Sequence, residues 1–154
     1  MQKLELSRDL RELLKCFHSH EVRFLVVGGH AVSYHGYPRF TKDLDIWVEP
    51  TESNALLVMA ALRDYGLDYP GLETDMFTGE GRMTQMGIEP NRVDILNRIK
   101  GVDFHQCYER KSFVPVDDTS IPVISKDDLI LNKIATGRPQ DLADADYLQN
   151  PPPK

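Results

Sequence analysis

The chain has 154 residues, 41% hydrophobic and 27% charged, with a formal net charge of −6. That suits one globular domain with a real core and argues against a broad nucleic-acid-binding surface. No apolar stretch approaches the ~18 residues of a membrane span, Met1-Gln2-Lys3-Leu4-Glu5-Leu6 lacks the apolar core of a signal peptide, and Cys16 and Cys107 read as reduced core residues of a cytoplasmic protein.

Leu4, Leu6, Leu10, Leu13, Leu14 and Phe17 recur at helical spacing near Ser7 and Asp9, which predicts a helix over residues 5–19. Residues 22–27 read as a strand, 29–35 as a short helix ended by Gly36, 37–42 as a loop and 44–48 as a second strand. Pro50-Thr51-Glu52 opens a helix to about residue 64, with Gly66 as its C-cap. Residues 66–81, rich in glycine and proline, are expected to form a loop or lid. Strands follow over 82–88 and 92–96, joined by a turn at Glu89-Pro90-Asn91; another lies within 105–116 and a short one over 119–124. Ser125-Lys126-Asp127-Asp128 has the form of a capping box for a helix that Gly137 and Pro139 stop after Thr136, and a last helix covers about 139–149. This predicts an α/β (α+β) architecture, a mixed sheet of about five strands flanked by helices, as one domain over 1–149 with a flexible tail over 150–154.

Asp43 and Asp45 begin an apolar run, Asp43-Leu44-Asp45-Ile46-Trp47-Val48, and residues i and i+2 of a strand share a face. A neighbouring strand, Val93-Asp94-Ile95-Leu96, is placed to bring Asp94 beside them. Three carboxylates on one face repel unless a cation sits among them, and an all-oxygen set suits Mg²⁺ or Mn²⁺ better than zinc. Phe24-Leu25-Val26-Val27 runs into Gly28-Gly29, a turn that presents backbone N–H groups to a phosphate. Together these point to metal-dependent nucleotide chemistry.

Each signal has a plainer reading. Gly28-Gly29 reads equally as a simple turn, the acid pair as solvent-facing, and Asp94 as the partner of Arg92 or Arg98. Arg39 suits a phosphate or a nearby acid, and Lys133 either snorkels to solvent or points to the site. Asp141 and Asp144 share a helix face, where capping and the dipole explain Asp141. Trp47 is expected to point away from Asp45 into the core. The histidines are too scattered for a zinc site, while Arg82, Arg92, Arg98 and Lys100 form a local basic cluster.

In chain order, a strand, Gly28-Gly29, a short helix, Arg39-x-Thr41-x-Asp43-x-Asp45 and then Asp94 on a later strand resemble the nucleotidyltransferase superfamily with the DNA polymerase beta-like fold. The later Ile121-Pro122-Val123-Ile124-Ser125-Lys126, followed by Lys133 and Asp141-x-x-Asp144, resembles the small lincosamide nucleotidyltransferases and the abortive-infection type nucleotidyltransferase toxins. The resemblance implies transfer of a nucleoside monophosphate from a nucleoside triphosphate, ATP among the expected donors, to a hydroxyl of a small molecule, protein or RNA, with release of pyrophosphate. It implies Asp43, Asp45 and Asp94 as catalytic, metal-binding residues, and Gly28, Gly29, Arg39, Thr41, Lys42 and Lys133 as nucleotide-binding ones. Gly29 replaces the serine of many members, His30 is assigned no family role, and a long C-terminal substrate domain like that of larger relatives is not expected within these 154 residues. The alternatives are a non-catalytic nucleotide-binding module and a toxin–antitoxin component acting with a separate chain. A homodimer or partner protein is the expected way to complete the cleft, and the acidic charge disfavours a large RNA acceptor.

Overall fold

The computed structural model describes residues 4–68 and 70–153. Residues 1–3, 69 and 154, which the expected domain, lid and tail include, lie outside the described residues. Helix α1 (Arg8–Ser19) starts where Ser7 Oγ accepts the N–H of Leu10 at 3.2 Å, and it buries Leu10, Leu13, Leu14 and Phe17. Strand β1 (Phe24–Val27) is buried at all four positions, as a strand covered on both faces must be. It passes directly into α2 (Gly28–Tyr34), one residue earlier than expected. Strand β2 (Leu44–Val48) is followed by α3 (Glu52–Tyr65), which Thr51 caps and Gly66 ends in the left-handed region at φ 109°.

A 3₁₀ turn (Thr74–Met76) leads to strands β3 (Met83–Met86) and β4 (Val93–Leu96). The segment expected to contain a strand first forms α4 (Phe104–Glu109), which the sequence reading does not foresee, because Asp103 accepts the Gln106 N–H at 3.2 Å and caps a helix there. Strands β5 (Ser112–Val116) and β6 (Thr119–Val123) then pair as a hairpin, and helices α5 (Lys126–Thr136) and α6 (Pro139–Gln149) close the described fold. Ser125 caps α5 at the N–H of Asp128. The Asp128 carboxylate is engaged by the Ser125 hydroxyl and the Arg110 guanidinium, so the reciprocal half of the capping box is absent.

The sheet has six strands in the order β3-β4-β2-β1-β6-β5, one more than expected. β1 and β2 run antiparallel, whereas β2 with β4 and β1 with β6 are parallel. A parallel pair needs a crossover: between β2 and β4 the chain passes through α3 and the edge strand β3, which then pairs antiparallel with β4. The register sets Asp45 opposite Asp94 and Trp47 opposite Leu96. Trp47 therefore shares the face of Asp45, contrary to expectation, since two residues along a strand return to the same side. It is buried there, with its ring 5.1 Å from that of Phe104 and edge-on to it.

Candidate active site

Four strands contribute one row of side chains across the sheet: Val27, Asp45, Asp94 and Gln85 are successive register partners. Asp45 and Asp94 thus stand side by side, 49 positions apart in the chain but neighbours in space, and they hydrogen-bond to each other. Burial, and then the charge of Asp94, pushes the Asp45 carboxyl up to about 7 from 3.8. Two facing carboxylates in a shielded place hold part of a proton between them or a cation. Gln85 Nε2 donates to Asp94 Oδ1 at 2.9 Å and orients it.

Asp43 lies just ahead of β2 and accepts from Arg92 Nε at 3.1 Å. Arg92 is therefore the partner of Asp43 rather than of Asp94, and Arg98 forms no ion pair among the described residues. Among the described residues no three His, Cys, Asp or Glu side chains form a ready-made metal cage. The donor set still fits a hard divalent cation: Asp45 and Asp94 supply oxygens and surplus negative charge, with Asp43 beside them.

The glycine turn is packed against this acid row. Gly28 has φ +69°, and a Cβ there would collide with Asp45 Oδ2; one on Gly29 would come within 2.5 Å of Thr41 Oγ1. Glycine is thus required twice, once for a left-handed backbone and once for close approach. His30, next in α2, is buried, and burial pushes its imidazole down to about 4 from 6.5.

The expected basic residues have partners. Arg39 clasps Asp144 with two hydrogen bonds, Nε to Oδ1 at 2.9 Å and Nη2 to Oδ2 at 2.8 Å. Lys133 Nζ lies 3.0 Å from Asp141 Oδ1 and 3.3 Å from Asp144 Oδ2. Arg138 Nε and Thr136 Oγ1 complete Asp141 at 2.7 and 2.8 Å, and Gln140 Nε2 donates to Asp144 at 2.8 Å. Burial opposes ionisation of Asp141, yet hydrogen bonds from Thr136, Arg138 and Lys133 hold its carboxyl below the usual range. Asp141 borders both hollows of the cleft and Asp144 lies fully buried behind it, and Lys133, 7% exposed, points to the site rather than to solvent, its charge felt by Asp45. Lys42 stays exposed, 3.9 Å from Glu89.

Two hollows meet at Asp45. One, of about 320 Å³, is bordered by Gly29, Thr41, Lys42, Asp43, Asp94 and Gln140. The other, of about 420 Å³, is bordered by Gly28, Leu96, Arg98, Ile99, Lys100 and Asn132. Both include Asp45, Lys133, Arg138 and Asp141. A further hollow of about 510 Å³ beside Trp47 contains none of the three aspartates. The structure thus brings together Gly28, Gly29, Thr41, Lys42, Asp43, Asp45, Asp94 and Lys133, with Arg39 at the same rim. Sequence reading missed Gln85, Arg138 and Gln140. Gln85 becomes visible only through the β3–β4 register, whereas Arg138 and Gln140 flank the Asp141 already marked by its place in α6.

The fold is that of the nucleotidyltransferases. The family model described as a nucleotidyltransferase of unknown function, DUF6036, matches residues 3–147, and the chain belongs to that family. Its fold is similar to that of a proposed nucleotidyltransferase from Thermotoga maritima, at 19% identity over 93% of this chain and 91% of that one, with a TM-score of 0.56. It is also similar to the lincosamide antibiotic adenylyltransferase LnuA in its lincomycin-bound form, at 19% identity over 97% of this chain and 99% of that one, with a TM-score of 0.55. No curated protein matches the chain.

Proposed function

We propose that this protein is a divalent-metal-dependent nucleotidyltransferase that moves a nucleoside monophosphate from a nucleoside triphosphate to a hydroxyl-bearing acceptor, with a small molecule favoured. The observation that carries the reading is the side-by-side Asp45–Asp94 pair, with Asp43 beside it and the bare glycine turn packed onto Asp45. A non-catalytic nucleotide-binding module has no use for two half-buried, mutually repelling carboxylates side by side, since such a pair destabilises the empty fold.

In the proposed reaction the acceptor oxygen attacks the α-phosphorus while its proton passes to the Asp94 carboxylate. The new oxygen–phosphorus bond forms as the bond from the α-phosphorus to the bridging oxygen breaks, and pyrophosphate leaves with that electron pair. Mg²⁺ or Mn²⁺, held by Asp43, Asp45 and Asp94, would neutralise phosphate charge and support the leaving group. Gly28 lets phosphate oxygens approach the main chain beside Asp45, while Gly29, Thr41 and Lys42 border the adjoining hollow with Asp43 and Asp94. Lys133 and Arg39 act from fixed positions, held by Asp141 and Asp144, so that little reorganisation is needed during transfer.

The test is a thermal melt with each of the four nucleoside triphosphates, with and without Mg²⁺, followed by a transfer assay. Ligand at ~100 times its dissociation constant adds about 2.7 kcal/mol, roughly 5–10 °C for a chain of this length. The expected result is a Mg²⁺-dependent rise with at least one triphosphate. Asp43→Asn, Asp45→Asn and Asp94→Asn should each abolish both the rise and turnover while circular dichroism stays unchanged. A wild-type chain that responds to none of the four overturns the reading.

A further inference from the structure

Around the acid row most cations are already committed. Arg39 is bound to Asp144, Lys133 to Asp141 and Asp144, Arg138 to Asp141, and Arg92 to Asp43. Two cations on the rim of the 420 Å³ hollow differ: Arg98 and Lys100 make neither an ion pair nor a side-chain hydrogen bond among the described residues. Arg98 also borders the hollow beside Trp47, yet it pairs with neither Glu80 nor Asp103 there.

The backbone carrying these two side chains is held on both sides. Asn97 Nδ2 donates to the carbonyls of Thr78 and Gly79 at 2.9 and 3.2 Å, and its Oδ1 accepts the Arg82 N–H at 2.7 Å. Beyond them, Asn132 Nδ2 donates to the Lys100 carbonyl at 2.9 Å. Gly101, at φ +85°, packs so closely on α5 that a Cβ would lie 2.6 Å from that of Ala135. A segment pinned at Asn97, Lys100 and Gly101 is a fixed platform, and two unpaired cations on it are preorganised for an external anion. The same hollow reaches Gly28 and Asp45, so an anion seated there adjoins both the glycine turn and the carboxylates.

We infer that Arg98 and Lys100 bind the phosphates of the donor nucleoside triphosphate, in the hollow between the segment after β4 and α5. This rests on the proposed transferase reading and assigns its two hollows. The cationic one, where Leu96 and Ile99 also present apolar surface to a nucleobase, takes the donor. The charge-balanced one, bordered by Asp43, Asp94, Thr41 and Gln140, takes the acceptor. Without counting the groups the hollows share, the donor side carries two cations and no acid. On the acceptor side Arg39 and Lys42 are matched by Asp43 and Asp94.

The experiment measures Mg²⁺-dependent binding of a fluorescent ATP analogue, competition by each unlabelled nucleoside triphosphate, and binding of inorganic tripolyphosphate, which has no base. The proteins are wild type, Arg98→Ala, Lys100→Ala, the double variant, and Arg82→Ala as a control with the same change in net charge. Each removed cation should weaken triphosphate and tripolyphosphate binding by about ten-fold or more, and the double variant should also lose most of the salt dependence. Arg82→Ala should bind as wild type does. Exposed, unpaired side chains contribute little to folding, so melting temperatures without ligand should agree across the set. Wild-type binding of a triphosphate with equal binding by the double variant overturns this inference and leaves the transferase reading standing. Equal weakening in Arg82→Ala overturns it as well, since general charge then explains the effect. A wild-type chain that binds no triphosphate overturns both.

Discussion

A methyl group on Gly28 would collide with the Asp45 carboxylate, and φ +69° adds backbone strain. Gly28→Ala is expected to lose about 1–2 kcal/mol of stability from the left-handed backbone, read by urea unfolding. Displacing Asp45 should also slow transfer by about 100-fold or more, so activity falls far more than stability. At this scale the acids were legible in the sequence. Alternation pointed Asp43 and Asp45 to one face, although Asp43 lies just ahead of β2, and Asp94 between the buried Val93 and Ile95 stood out as an acid in an apolar run. The same alternation places Trp47 on that face, where Phe104 shields it. The choice of Arg92 for Asp43, and of Asp144 for Arg39, was not legible, because an ion pair between distant positions depends on how finished elements stack.

Helix α6 begins with two acids that fasten three parts of the fold together: Lys133 on α5, Arg138 ahead of α6, and Arg39 before β2. Asp144 is fully buried and engages Arg39, Lys133 and Gln140. Asp144→Ala strands buried positive charge, which typically costs 3–5 kcal/mol when one partner of such a pair is removed. Chemical denaturation should show a loss of about that size, with Asp144→Asn less severe. Caps and apolar spacing made α1, α3 and α5 legible, because these signals are local. Helix α4 was missed although Asp103 marks its start; six residues are too few for a periodic pattern to stand out. The order of strands, with β4 inserted beside β2, is non-local and leaves no mark on any single segment.

For the molecule as a whole, His30 gives folding a pH dependence of known sign. Its imidazole is pushed down to about 4 by burial, from an ordinary value of 6.5 that the unfolded chain should show. Between those values the unfolded state binds a proton that the folded state does not, so the His30 contribution to stability is full above pH 6.5 and declines as pH falls towards 4, opposed by the raised Asp45 carboxyl, which favours the fold as pH falls below about 7. The whole window corresponds to about 3 kcal/mol. His30→Gln should flatten the difference between urea unfolding at neutral and mildly acidic pH, and an unchanged difference would exclude His30 as its source. Most helices and strands, and the neighbouring placement of Asp45 and Asp94, were readable from the chain. The assembled cleft was not, because it exists only where the sheet, α5 and α6 meet.

The pairing of Asp45 with Asp94 through the parallel β2–β4 register has a consequence for how this protein can diverge. Main-chain hydrogen bonds hold neighbouring strands about 4.8 Å apart, so the gap between the two acid-bearing positions is a gauge cut into the backbone. Neither side chain sets it, and mutation elsewhere barely moves it. The crossover through residues 66–81 can lengthen, shorten or change its chemistry while the gauge stays true. The side chains that line the two hollows are free to drift, but the aperture across which the acids work is inherited with the sheet.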